Sequence, residues 1–518
     1  MDESLLMGLY AAASMRAVDA AAIDGLGIPG GHLMERAGAA VADEILERFD
    51  PESVVVYAGK GNNGGDGFVV ARELFNAGCD VVVYAIAGRA GYKGDALLNL
   101  KILDQMGVEV REGIGEDDDL TLELADVVVD AIFGTGFTGA AKGVEAAAIE
   151  RIDQAAAVVS IDIASGVGAS TGTVHGPVVE ADLTVALHAA KVGHFVTPGG
   201  AFSGEVVIAP IGIPPICDRE PEAWLLTAAA VADLIRPKGS LDHKRSVGTV
   251  TVVGGSRGMT GAANLTAMAA LRAGAGTVHC LQPLGIAGPS PFVEVITVPV
   301  PGDDRFAAAS LAAVKEEAAR FRAMAVGPGL GRAADTQKFV RSLLAEDVPL
   351  LIDADGLYAL GDKPELLAGR GAPTVLTPHE GELGRLLGLP AEEVAAGRLE
   401  CVRSAAKRGD VTVVLKGEAS IVADPSGAAY VIPTGNPGLA TPGTGDVLSG
   451  VIVAQLAKGL PATEAACLGG FVHGLAADLA AEHAVGTEGM VASDLLEFLP
   501  QAIEWLKGSY DDDDEHDD

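Results

Sequence analysis

Residues 53–67 read SVVVYAGKGNNGGDG, from Ser53 to Gly67. The β-branched run Val54 to Val56 gives way at Gly59 to glycines and amides, and these lead into an amphipathic stretch over 68–77. A strand that ends in a glycine-rich turn and feeds a helix is the repeating unit of a parallel α/β sheet. The same rhythm recurs at 81–86 (VVVYAI), 126–133 (DVVVDAIF) and 157–163 (AVVSIDI), with another helical pattern at 93–106. Unbroken apolar runs of this length suit strands covered on both faces. A doubly wound sheet is expected here, with helical segments near 12–24 and 33–48 packed on it.

The rhythm breaks at 210–222 (PIGIPPICDREPE), where four prolines in thirteen residues predict a linker. It restarts with 248–253 (GTVTVV) and continues through 276–281, 322–327, 348–353, 373–377 and 411–416, before a long helical finish over about 444–506. A chain of 518 residues exceeds one hydrophobic core. The reading is two α/β domains, 1–222 and 223–508, followed by an acidic disordered tail over 509–518.

Charge narrows the partners. Asp and Glu total 71 against 36 Lys plus Arg, giving a net charge of −35, and only 14 of the 36 are Lys. That field repels nucleic acid and anionic lipid, so neither is an expected partner. Local backbone N–H groups can still hold phosphates. Many carboxylates with few lysines suit a proteome kept soluble in high salt, so a halophilic source is expected. The five cysteines form no CxxC pair and read as buried thiols. No uncharged apolar run approaches the roughly 18–20 residues that span a bilayer. The start is acidic rather than basic, and the expected location is cytoplasmic.

The segment Gly59–Gly67 gathers N–H groups at the positive end of a helix and suits phosphate, although it matches neither the Walker A nor the GxGxxG pattern. The plain alternative is a tight turn that tolerates glycine. Two more strand ends point the same way. Asp130 closes one, ahead of Gly134-Thr135-Gly136-Phe137-Thr138-Gly139, and Asp162 closes the next, ahead of Ser165. One such Asp is often a helix cap. Several polar clusters at successive carboxyl ends mark the place where open α/β sheets bind ligands, and their oxygens could hold a hard cation.

In the second half, Asn436-Pro437-Gly438-Leu439-Ala440-Thr441-Pro442-Gly443-Thr444-Gly445-Asp446 leads into the apolar helix 447–457. Its N–H groups form an anion hole with Asp446 beside it, and the carboxylate can act as base or acid next to a phosphate. A simple cap is the competing reading. Gly327-Pro328-Gly329-Leu330-Gly331, Asp353-Ala354-Asp355-Gly356, Thr377-Pro378-His379-Glu380-Gly381-Glu382 and Lys416-Gly417-Glu418-Ala419-Ser420 end further strands.

Taken in order, these pieces resemble a known family. GKGNNGGDG, DAIFGTGFTG, IDIASG and ADLTVALHAAKVG around Lys191 resemble the epimerase domain of NAD(P)H-hydrate repair enzymes. GPGLG, TPHEGE, LKGEAS and NPGLATPGTGDVLSG resemble their ADP-dependent dehydratase domain. The resemblance covers roughly residues 10–505. It implies two three-layer αβα domains, the first Rossmann-like and the second ribokinase-like. It also implies a chemistry. Water added to the nicotinamide ring gives R and S hydrates (NADHX and NADPHX); the first domain interconverts them. The second dehydrates the S form with ADP as co-substrate, releasing AMP and phosphate.

Carried over by position, Asn62, Asn63, Gly64, Gly65, Asp66, Gly134, Thr135, Gly136, Phe137, Thr138, Gly139, Ala140 and Asp162 would hold the hydrate in the first domain, with Asp162 also catalytic. Asn63, Asp130 and Ser165 would bind potassium. In the second domain Ala262, Gly329, His379 and Asp446 would contact the hydrate, while Lys416, Gly417, Glu418, Ala419, Ser420 and Gly445 would contact ADP. Asp446 would be the base on the ring hydroxyl, with Gly443–Gly445 stabilising the transferring phosphoryl group and magnesium bridging phosphates. Homo-oligomers are common for such folds, although no interface is read here.

Two positions depart from the family pattern. Ala164 stands where proline is usual and Pro442 where glycine is usual, and Pro442 removes one N–H just before the anion hole. A small-molecule kinase also uses a GTGD loop, but it has no use for the first domain's motifs. A scaffold role for the first domain conflicts with its complete set of polar residues.

Overall fold

The computed structural model describes residues 1–114 and 125–508, so the acidic tail lies outside the described residues. The chain divides into two compact units. One is Gly8–Ala223, and the other joins Met1–Met7 to the chain from Trp224 onward.

The first unit is built on a seven-stranded parallel sheet. Its strands are β1 (Ser53–Ala58), β2 (Asp80–Ala85), β3 (Glu109–Glu112), β4 (Val127–Ala131), β5 (Val158–Ile161), β6 (Leu183–Leu187) and β7 (Glu205–Ala209), in the order β3-β2-β1-β4-β5-β6-β7. Alternation along each strand supplies both faces. Val54, Val56, Val83 and Val129 pack against Val41 and Ile45 of α1 (Gly30–Phe49), Phe68 of α2 (Asn62–Ala77) and Leu100 of α3 (Gly94–Met106). Val55, Tyr57, Tyr84 and Val128 face Ile149 and Ile152 of α4 (Val144–Ile152). The chain reverses direction between β1 and β4, so their carboxyl ends form the ligand crevice of an open sheet.

The expected linker is packed rather than free. Ile211, Ile213 and Cys217 are buried against Val18, Ala22 and Leu33, because the prolines end regular structure without removing the apolar side chains between them.

The second unit carries β8 (Thr249–Val253), β9 (Thr277–Pro283), β10 (Ile296–Val300), β11 (Ala323–Val326), β12 (Leu350–Ile352), β13 (Thr374–Leu376), β14 (Thr412–Leu415), β15 (Ile421–Ala423) and β16 (Ala429–Val431). Their order is β10-β9-β8-β11-β12-β13-β14-β15-β16, parallel through β14 and antiparallel beyond it. One face packs on α5 (Thr260–Arg272), α6 (Thr444–Ala457) and α7 (Ala462–Ala480). Other helices, among them Arg398–Gly409, also contact the strands. Helix α6 is buried from Val447 to Ala457, which fixes Asp446 at its start. Both units are three-layer αβα domains.

All five cysteines are buried thiols, as expected. Among the described residues, no helix is long and apolar enough to cross a membrane.

Candidate active sites

The glycine motif after β1 has a packing role of its own. Helix α2 begins inside it at Asn62, and a side chain on Gly64 would lie 1.8 Å from the Gly59 carbonyl oxygen. On Gly67 it would lie 2.6 Å from Ala131 Cβ. These glycines let α2 close on the sheet, and the polar residues between them are what the motif presents.

A cavity of about 660 Å³ opens at the carboxyl ends of β1 and β4. Asn62, Asn63, Asp66, Gly134–Thr138 and Asp162 line it. Gly64, Gly65, Gly139 and Ala140 are not in its wall. Lys191, Asp19 and Arg16 are, and sequence reasoning assigned them no role. Lys191 pairs with a carboxylate 29 positions away, a relationship no local pattern carries.

Asp162 occupies a γ-turn of the rare positive-φ kind. Its φ is 70°, and the Ile163 N–H donates to Ile161 O at 2.8 Å. The turn aims the carboxylate into the cavity, where it accepts from Lys191 Nζ and, at 3.2 Å, from the Thr135 N–H. His194 braces the turn from behind. Its Nδ1 accepts from the Lys191 N–H at 3.1 Å, so its Nε2 donates to Asp162 O at 2.8 Å. Burial, reinforced by the Lys191 charge, lowers the His194 pKa to about 3 and keeps the ring neutral. Burial alone would raise Asp162, but the charge and hydrogen bond of Lys191 hold it below the usual carboxylate range. Among the described residues no cation pairs with Asp66 in this way. Burial first, then the charges of Asp162 and Asp19, push it well above that range. Two carboxyls whose surroundings push their pKa values apart therefore line one cavity.

Beneath the cavity, Asp130 is fully buried. It accepts from Ser165 Oγ at 2.6 Å, the Ser165 N–H at 2.8 Å and Ser160 Oγ at 2.9 Å. Asn63 Nδ2 donates to Phe133 O at 2.8 Å, while the Phe133 N–H donates to Ser165 Oγ at 2.9 Å. Asn63 and Ser165 thus meet at Phe133, and Ser165 links on to Asp130. Among the described residues the buried Asn63 Oδ1 has no hydrogen-bond partner. An orphaned buried amide oxygen is an acceptor that a monovalent cation could take up. Ala164 is buried and its carbonyl accepts from the Val167 N–H, so the turn holds without proline.

In the second unit the strand ends converge on Lys416. Its Nζ donates to Asp353 Oδ1 at 2.9 Å and lies 3.8 Å from Glu382 Oε2. Ser449 Oγ donates to Asp353 Oδ2 at 2.7 Å. A methyl group on Gly445 would sit 3.4 Å from Lys416 Nζ, so the start of α6 faces this ammonium. Asp446 stands on that first turn. Burial raises its pKa to about 7, aided by Asp353 and opposed by Lys416. That value suits a base at neutral pH.

Pro442 fits its position. The Thr444 N–H reaches Thr441 O at 3.4 Å, and Gly443 has φ 98°. Proline followed by a positive-φ glycine is the preferred centre of a type II turn. The first intrahelical bond of α6 runs from the Val447 N–H to Gly443 O, so the N–H groups of Gly445 and Asp446 precede the helical ladder.

Gly329 lies beside Ala262, and its carbonyl accepts from Ser256 Oγ at 2.8 Å. His379 caps the helix Glu380–Leu387: its Nδ1 accepts from the Gly381 N–H at 3.0 Å, and its own N–H donates to Glu382 Oε2 at 3.0 Å. Its ring remains exposed. Lys416–Ser420 forms a tight loop in which Ser420 Oγ donates to Gly417 O at 3.0 Å and Ala419 has φ 47°. Among the described residues no three His, Cys, Asp or Glu groups form a metal cage.

A polar cavity at the carboxyl ends of β1 and β4 and a polar cluster at the carboxyl ends of β12, β13 and β14 define a two-site α/β enzyme. Residues 250–501 match the family model described as NAD(P)H-hydrate dehydratase, and residues 30–193 match that of the YjeF-related protein N-terminus. A bifunctional NAD(P)H-hydrate repair enzyme of Moorella thermoacetica is 41% identical over 517 residues, covering 97% of each chain. That of Salinibacter ruber is 39% identical, covering 96% of each. The ADP/ATP-dependent NAD(P)H-hydrate dehydratase of Bacillus subtilis, co-crystallised with ATP/Mg2+, is 28% identical and covers 54% of this chain and 98% of its own, with a TM-score of 0.47. The chain belongs to the bifunctional NAD(P)H-hydrate repair enzymes.

Proposed function

We propose that the chain repairs hydrated NADH and NADPH: its first domain epimerises the R and S hydrates, and its second dehydrates the S form with ADP, giving AMP and phosphate. The two family matches, one on each domain, support the pair of activities. The single observation that carries the chemistry is the sharing of the first cavity by an ion-paired Asp162 and an Asp66 with no cation paired to it among the described residues.

Adding water to an enamine places the hydroxyl on the carbon next to the ring nitrogen. Epimerisation there needs the hydroxyl to leave as water from one face and water to return on the other. Proton transfer at both faces is work for a carboxyl pair with separated pKa values. We assign Asp162, held ionised by Lys191, as the base. Gly134–Thr138 line the cavity beside it and would hold the dinucleotide, with Gly139 and Ala140 continuing the loop.

In the second domain we assign Asp446 to take the proton from the ring hydroxyl as it attacks the terminal phosphoryl group of ADP. Gly445 and the neighbouring N–H groups would stabilise the charge on that phosphoryl group; the ring phosphate then leaves and the adjacent ring carbon gives up a proton to solvent, which restores the double bond. Magnesium, when bound, neutralises phosphate charge. Ala262, Gly329 and His379 would contact the hydrate, and Lys416–Ser420 the nucleotide.

Finer readings rest on less. Potassium at Asn63, Asp130 and Ser165 is supported by the orphaned Asn63 Oδ1. A high-salt source is supported by the charge of −35, and a cytoplasmic location and homo-oligomeric assembly are carried from the sequence. The residue assignment is tested with two variants. Asp162→Asn should stop epimerisation and spare dehydration of the S form, and Asp446→Asn should do the reverse while still binding ADP. Loss of both activities from either variant would contradict it.

A further inference from the structure

Arg398 opens the helix Arg398–Gly409, outside every motif that carries the resemblance, yet it is only 4% exposed. Its guanidinium reaches two of the strand-end loops at once. Nη1 pairs with Glu380 Oε1, one residue after His379. Nη2 donates to the carbonyls of Glu418 and Ala419, both at 3.4 Å. Nε is buried and, among the described residues, has no hydrogen-bond partner.

A buried cation held by one ion pair and two long carbonyl contacts, with a donor left over, is costly for stability alone. The loop it touches is shaped around it. Gly417 has φ 150°, and a side chain there would come within 2.8 Å of Nη2. Ala419 has φ 47°, a strained conformation for a non-glycine residue, and its carbonyl is one that Arg398 receives. A planar guanidinium presents its donors in a fixed fork, which a flexible ammonium cannot copy.

We propose that Arg398 is a positioning residue that holds the Lys416–Ser420 loop in its nucleotide-receiving shape and ties that loop, through Glu380, to the loop bearing His379. This rests on the proposed binding of ADP by Lys416–Ser420. Arg398 acts from behind the loop, so its loss should weaken nucleotide binding and leave the phosphoryl-transfer groups Asp446 and Gly445 in place.

The test is steady-state dehydration of S hydrate by the full chain, with ADP varied, in Arg398→Lys, Arg398→Met, Glu380→Gln and the Arg398→Met/Glu380→Gln double variant. KM for ADP should rise about tenfold or more in both Arg398 variants while kcat stays within about threefold. The double variant should be no worse than Arg398→Met, because the pair acts as a unit. The rise in melting temperature on adding Mg·ADP, read without turnover, should shrink in parallel. An active wild type whose Arg398 variants keep KM for ADP within twofold would overturn this inference alone. An inactive wild type would overturn the dehydratase reading and this inference with it. Should Arg398→Met fail to fold, Glu380→Gln decides: raised KM for ADP supports the tie, and unchanged KM overturns it.

Discussion

Lys191 is fully buried, and its ammonium binds the carboxylate of Asp162, whose backbone the γ-turn twists toward the same cavity. Removing the cation leaves a buried carboxylate uncompensated, which costs on the order of 3–5 kcal/mol. Lys191→Met should therefore lower the denaturant midpoint of the first domain and end conversion of R to S hydrate, while S hydrate is still dehydrated. The folded pKa of Asp162 lies below its unfolded value. The stabilisation it represents is present above the unfolded pKa and fades as pH falls through the folded one. Acid unfolding should show this loss in the wild type and not in Lys191→Met.

Asp446 has the opposite sign. Its pKa of about 7 lies above the ordinary carboxylate value of 3.8, so its contribution to stability is full below the unfolded value and lost as pH rises toward 7. Asp446→Asn should match the wild type at low pH and exceed it in melting temperature at pH 8. Activity runs the other way. As a base, Asp446 should give a dehydration rate that falls below about pH 7, and Asp446→Asn should lose roughly 10²–10⁴-fold in kcat. A flat pH profile between 5 and 8 would remove Asp446 from the base role.

How much of this was legible beforehand differs by residue. The runs at 53–58 and 126–133 declared buried parallel strands because β-branched residues on both faces leave no helical period. Strands β3, β6, β7 and β10 and the β15–β16 hairpin were missed; β3, β7 and β10 are edge strands with half-exposed residues, and three-residue strands carry no periodicity. Asp162 and Asp446 were visible as polar residues at strand and helix ends. Their partners were not: the links from Asp162 to Lys191 and from Asp353 to Lys416 exist only once the sheet is assembled. Glycines between 59 and 67 read as a phosphate loop, but close helix–sheet packing demands them as well.

The cation site predicts a salt-specific effect. Exchanging potassium for tetramethylammonium at constant ionic strength should lower the melting temperature of the first domain and slow epimerisation. Asp130→Ala should erase the difference between the two salts. Equal behaviour of the wild type in both would count against potassium at Asn63, Asp130 and Ser165.

With 71 acidic residues against 36 basic ones, the folded chain repels itself wherever salt does not screen it. Dialysis from molar KCl to about 10 mM, where the Debye length reaches roughly 30 Å, should reduce helical circular dichroism. Full retention of structure at low salt would contradict adaptation to high salt.

The central claim is that one chain repairs both epimers. An equilibrated R/S mixture of hydrated NADH, given the full chain with ADP, magnesium and high KCl, should regain the absorbance of the reduced ring completely, the R share included. Recovery that halts at the S share would contradict epimerisation by the first domain, and no recovery would contradict the account as a whole.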